Sequence, residues 1–172
     1  MIRPNYKLKL NWDYTWHMDR PHFHEDVEIL LSLSGNGSFL IGNEIHPLQE
    51  GSLFIMKEGT LHKCITSESY KRYVMHVSPE TLQELSTQQS DLTAFVQGAT
   101  SQYKLLDKLH TAELEKKFQE LEKESDGTFC SDLQKFVQLL DILTTVFLLF
   151  ETAAERDHND LHPDLARISP VL

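Results

Sequence analysis

The chain has 172 residues, 40% of them apolar and 24% charged, proportions of an ordinary folded protein that exclude a disordered one. Lys and Arg number 16 against 26 Asp and Glu, a net charge of −10, so the surface repels phosphate backbones and the chain by itself is excluded as a nucleic-acid gripper. Cys64 and Cys130 stand far apart in apolar surroundings, which reads as two reduced thiols and excludes a disulfide framework. The opening MIRPNYKLKLNWDYTW lacks the continuous apolar core of a signal peptide. The strongest apolar run, VFLLF at 146–150, falls far short of the roughly 20 residues of a membrane span. A cytoplasmic chain with no membrane contact is expected.

Residues 1–77 hold five of the seven glycines. The turn signals SGNGS (34–38), IGNE (41–44), QEGS (49–52) and KEGT (57–60) punctuate short apolar segments, a rhythm that predicts short strands closed into a sandwich or barrel over about residues 15–78. From Ser78 the pattern becomes helical. SPETLQEL supplies a serine cap, a proline in the first helical position and a glutamate in the first turn. A second helix is predicted from about Thr111 to Ser125, with Leu114, Phe118 and Leu121 at helical spacing and Gly127 just beyond its end.

A third helix is predicted over about 129–156. Leu133, Phe136, Leu140, Leu143, Phe147 and Phe150 form one apolar stripe. Leu139, Ile142, Val146, Leu149 and Ala153 form another, about 100° round the axis. One stripe covers the helix's own domain. The heptad-like one predicts a homodimer through this helix, against the plainer reading of a helix buried wholly in its own chain. The expected organisation is therefore a sensor barrel with an N-terminal arm (1–78), a helical dimerisation segment (79–157) and a linker (158–172) running into a further domain.

The chemistry concentrates in HFHEDVEILL (22–31). Side chains on a strand alternate between faces, so His22, His24 and Glu28 project together if this is a strand, with Val27, Ile29, Leu31 and Leu33 opposite. His62, just past the KEGT turn, can be returned to the same spot by the next strand. Neutral imidazoles and a carboxylate can hold zinc, nickel, iron or manganese, or they can form a hydrogen-bonding floor for a polar effector or a purely structural network.

These residues resemble the cupin barrels. The first cupin motif reads HxH, three residues, E, six residues, G, and His22, His24, Glu28 and Gly35 fit it. Of the second motif, Gly51, Gly59 and His62 fit, while Lys57 stands in place of a proline and Thr66 in place of an asparagine. More closely, residues 15–85 resemble the sensor half of AraC-type transcription regulators, from the HFHEDVEILL strand through GSLFIM (51–56) to YKRYVMH (70–76) and a following helix. ARISPVL (166–172) resembles the opening of that family's DNA-binding half. The resemblance implies a cupin-like jelly roll followed by about three helices, serving as an effector-sensing and dimerisation domain. DNA would be reached only through a further C-terminal domain.

Other residues are weighed beside that cluster. Trp12, Tyr14 and Trp16 alternate on one face, where they could stack on a sugar ring or cap the barrel mouth. Arg72 shares its parity with Tyr70, Val74 and His76. Pointing inward it would bind a carboxylate or sugar hydroxyl; pointing outward it is a solvated charge. Asp26 is expected at the barrel rim, and His46 in a surface turn. The expected ligand-binding set is Trp16, His22, His24, Glu28, His62 and Arg72, with no catalytic residues; His22, His24, Glu28 and His62 are the candidate metal ligands. The expected effector is a sugar or sugar derivative. The competing reading is a stand-alone metal-dependent cupin enzyme, an oxygenase or sugar isomerase.

Overall fold

A computed structural model describes residues 4–13, 20–66, 69–99, 101–124 and 126–160. Seven strands come first: β1 (Tyr6–Asp13), β2 (Val27–Ser32), β3 (Gly37–Ile41), β4 (Glu44–Leu48), β5 (Ser52–Met56), β6 (His62–Ile65) and β7 (Tyr70–Val77). Then follow α1 (Pro79–Leu85), α2 (Leu92–Gly98), a short strand β8 (Tyr103–Leu105), α3 (Lys108–Glu122) and α4 (Ser131–Asp160). The strands form an antiparallel five-stranded sheet in the order β1-β7-β2-β5-β8 and a three-stranded sheet in the order β4-β3-β6. The architecture is a cupin-like jelly roll with appended helices.

Alternation along the strands builds two cores. Leu30, Phe39, Ile41, Leu48, Phe54, Met56, Cys64, Tyr70 and Val74 fill the space between the sheets. The opposite face of the larger sheet, with Val27, Ile29, Leu31, Leu53, Ile55, Tyr73, Met75 and Val77, packs against residues of all four helices in a second continuous core. Glu28 lies on the first face and its neighbours Val27 and Ile29 on the second, as strand parity requires. Burial here is close to complete: Ile29, Leu31, Leu53, Phe54 and Met75 expose none of their surface.

The barrel is larger than residues 15–78. β1 lies upstream and pairs with β7 over its whole length, Tyr6 opposite Val77 and Asp13 opposite Tyr70. β8 returns from beyond α2 to pair with β5. Among the described residues four helices follow the seventh strand, against the expected three or so; α2 escapes sequence periodicity because at seven residues it is barely two turns long. The start of α1 is as predicted, with Ser78 Oγ accepting from the Thr81 N–H at 3.2 Å and Pro79 in the first position. His46 is no surface turn residue. It sits on β4, an edge strand that tolerates Pro47, and its ring stacks on Tyr103 at 5.0 Å. Neither Cys64 nor Cys130 is in a disulfide.

The two predicted stripes of α4 are not divided between the chain's own core and a second copy. Leu139, Ile142, Leu143, Val146, Phe147 and Phe150 are all buried against the chain's own sheet and helices. They form one wide apolar face of the kind a surface helix turns to its core. Phe147 packs on Phe95 of α2 at 5.1 Å, so it is an intrachain residue and cannot belong to an outward seam. Among the described residues of α4, the large apolar side chains left exposed are Leu133, Val137 and Leu148. The stretch Ser131–Glu151 has the length and apolarity of a membrane span, contrary to the impression left by its five-residue apolar run. Six of its apolar side chains are buried in the core that the sheet and the helices share.

Candidate functional site

The arm before β2 is extended but is not part of that strand, which begins at Val27. Backbone bonds stitch it to the turn between β5 and β6. His22 and His62 exchange hydrogen bonds, N–H to carbonyl, at 3.0 and 2.9 Å, and the Gly59 N–H donates to the His24 carbonyl at 2.8 Å. This single bridge places the His22 and His62 rings 4.2 Å apart. The bridge thus sets the His22 ring beside His62, while His24 reaches Glu28.

Glu28 Oε2 is the focus. It lies 2.8 Å from His24 Nε2, 3.5 Å from His62 Nε2 and 3.7 Å from His76 Nε2, with its own side chain only 5% exposed. Burial opposes ionisation of Glu28, but hydrogen bonding from His24 and the neighbouring His62 and His76 rings outweigh it and hold the carboxyl at about 2. The hydrogen bond to Glu28 raises the pKa of His24 against the cost of burial, whereas burial lowers those of His22 and His76.

The tautomers fit a cation. His62 Nδ1–H donates to the Thr60 carbonyl at 2.8 Å, which leaves the lone pair of the neutral ring on Nε2. That nitrogen is buried and makes no hydrogen bond. His24 Nδ1–H likewise donates to the Asp26 carbonyl at 2.9 Å, so its Nε2 faces the carboxylate and needs a second proton or a metal between them. The ligating atoms of His22, His24 and His62 lie within 4.8 Å of one another, and so do those of His24, Glu28 and His76. Either triad has the donor types of a divalent-metal site, and such an ion would supply Lewis acidity or a rigid anchor for a polar ligand.

Not every expected site residue joins this cluster. Arg72 does point into the barrel and is buried, with its guanidinium 4.5 Å above the Tyr70 ring. It stands four residues from His76 along β7, about 13 Å at strand rise, and so belongs to the far end of the interior, beside Cys64 and Tyr70. Trp16 and Tyr14 lie outside the described residues. His76 is the residue that sequence reasoning left out. Its only signal was parity with Tyr70, Arg72 and Val74; what brings it to the cluster is the β2–β7 register, in which it pairs with Glu28.

No curated relative matches the chain. Among solved structures, partial likenesses include a conserved protein of unknown function from Streptococcus pyogenes, with 20% identity, 45% of this chain and 68% of that one covered, and a TM-score of 0.40. A cupin protein from Bacteroides fragilis shares 19% identity over 50% of this chain and 75% of its own, TM-score 0.41. The oxalate decarboxylase of Bacillus subtilis, which has Mn(II) centres, shares 19% over 45% and 22%, TM-score 0.38. Likenesses this partial say nothing of what the present chain binds. The family of AraC-like ligand binding domains, in contrast, matches residues 8–141, from β1 into α4. The chain belongs to the AraC-like ligand-binding domain family.

Proposed function

We propose that this chain is the effector-sensing part of a transcription regulator, binding a small polar, sugar-like molecule at the His22, His24, Glu28 and His62 cluster. The observation that carries the reading is the convergence of three imidazoles, His24, His62 and His76, on one buried carboxylate, with the His22 ring beside His62, in a chain of a ligand-binding family. Glu28 would accept from the effector's hydroxyls. His22 and His24 are half-buried, so a ligand can reach them from solvent. A divalent metal held in this cluster would anchor the ligand; without metal, the same groups form its hydrogen-bonding floor.

In this reading the protein acts in the cytoplasm as a homodimer through α4, whose exposed Leu133, Val137 and Leu148 would meet those of a second copy. DNA is reached through a domain outside this chain, consistent with the net charge of −10. The test is a thermal-shift panel of sugars and sugar acids, with and without divalent metals. A ligand at 100 times its dissociation constant adds about 2.7 kcal/mol of stability. A hit should stabilise the wild type and lose its effect in Glu28→Gln; a hit that stabilises both equally removes the site from the barrel mouth.

A further inference from the structure

We infer that the cluster offers two alternative seats for one divalent ion, His22/His24/His62 for zinc and His24/Glu28/His76 for manganese or iron(II). This rests on the reading that the cluster takes a divalent metal.

The donor atoms set the two seats apart. Among the described residues, the ligating atoms of His22, His24 and His62 lie within 4.8 Å of one another, and so do those of His24, Glu28 and His76. His24 is common to both triads. Its Nδ1–H is committed to the Asp26 carbonyl at 2.9 Å, which leaves Nε2 as its ligating atom. An imidazole nitrogen has one in-plane lone pair, so it serves one ion at a time. Occupancy of one seat therefore excludes the other.

Each seat is built by a different part of the fold. The first forms where the arm meets the turn between β5 and β6. There the isolated bridge sets the His22 and His62 rings 4.2 Å apart, and His62 Nε2 is buried with no hydrogen bond. The second is made by the larger sheet. β7 is paired on both sides, with His76 opposite Glu28 on β2 and opposite Lys7 on β1. His76 Nε2 stands 3.7 Å from Glu28 Oε2. That is beyond hydrogen-bond length, yet short enough for both atoms to reach one ion at about 2.0–2.2 Å.

Donor chemistry sorts the ions. Three neutral imidazoles are a zinc set. Two imidazoles and a carboxylate are the donors of iron(II), and the hard carboxylate oxygen also suits manganese. The sorting reaches the effector. With zinc in the first seat, Glu28 and His76 stay available to a ligand's hydroxyls. With manganese or iron(II) in the second, the ion takes up the carboxylate. The identity of the ion thus decides whether the effector meets a carboxylate at Glu28 or a metal.

The test titrates metal-free protein with Zn(II) by calorimetry and with Mn(II) by electron paramagnetic resonance of the free ion. It compares the wild type with His22→Ala, His22→Asn, His76→Ala, His76→Asn and His24→Ala, circular dichroism confirming that each is folded. His22 and His76 each belong to one triad and are half-buried, and two substitutions at each guard against one that fails to fold. Expected is one ion per chain, with Zn(II) and Mn(II) displacing each other. The His22 variants should weaken Zn(II) by about ten-fold or more and leave Mn(II) unchanged; the His76 variants should do the reverse; His24→Ala should weaken both. X-ray absorption on the zinc-loaded wild type should count three imidazoles. Two ions bound at once, or His22 and His76 variants that affect both ions alike or neither, overturn the two-seat assignment and leave the metal reading standing. A wild type that binds neither ion removes the metal altogether, while the cluster as a metal-free hydrogen-bonding floor still has its own test in the sugar panel.

Discussion

The Tyr73 ring on β7 stacks on Phe118 of α3 with centroids 5.0 Å apart and planes 15° from parallel. Both side chains are buried, and they join the outer face of the barrel to the helical layer. Phe118→Ala removes that contact and opens a cavity in a core shared by sheet and helices. A loss of about 3–5 kcal/mol is expected, read as a lower urea midpoint. A loss under 1 kcal/mol would mean that the helices contribute little to holding the barrel.

His24→Ala leaves the Glu28 carboxylate buried without its 2.8 Å partner. Destabilisation of about 1–3 kcal/mol follows from the unmet charge. Metal content, measured by elemental analysis after purification without chelators, should fall along with it. Wild-type metal content in the variant would show that His24 is not a ligand.

Gly35 has φ +116°, and a Cβ built there would stand 2.2 Å from the Tyr70 Cβ. Backbone strain alone costs about 1–3 kcal/mol, and the clash adds to it, so Gly35→Ala should express poorly or melt well below the wild type. An unchanged melting temperature would be incompatible with this packing of β7 against the turn before β3.

Charged residues at Leu133 and Val137 should yield a folded monomer in sedimentation velocity, because both side chains are exposed in the single chain. Burial of such a side chain in a dimer contributes roughly 1.5–3 kcal/mol. Phe147→Glu is the contrasting variant: it places a charge against Phe95 and should unfold the chain. A dimer that persists with both Leu133 and Val137 charged puts the interface elsewhere.

Relations between near neighbours in sequence were legible without coordinates. The turn rhythm, the parity that separates Glu28 from Val27 and Ile29, and the Ser78 cap all follow from the two-residue period of strands or from local capping geometry. Gly51, too, carried a signal. Its φ of +84° and the Leu106 carbonyl 2.6 Å from where a Cβ would stand explain why no side chain fits there, although only the fold reveals that the neighbour is the segment after β8. Pairings across the chain were another matter. His76 joins the cluster because β7 lies beside β2 in a register that faces it with Glu28. His22 meets His62 through an isolated bridge outside any strand. Arg72, inward by the same alternation, is held away from the imidazoles because four residues of strand separate it from His76. On α4 both apolar stripes were visible in the sequence, but which side chains the chain covers itself depends on how the helix lies over the sheet. Helical periodicity names the apolar face of a helix and leaves its partner open; the docking of α4 on the barrel decides it.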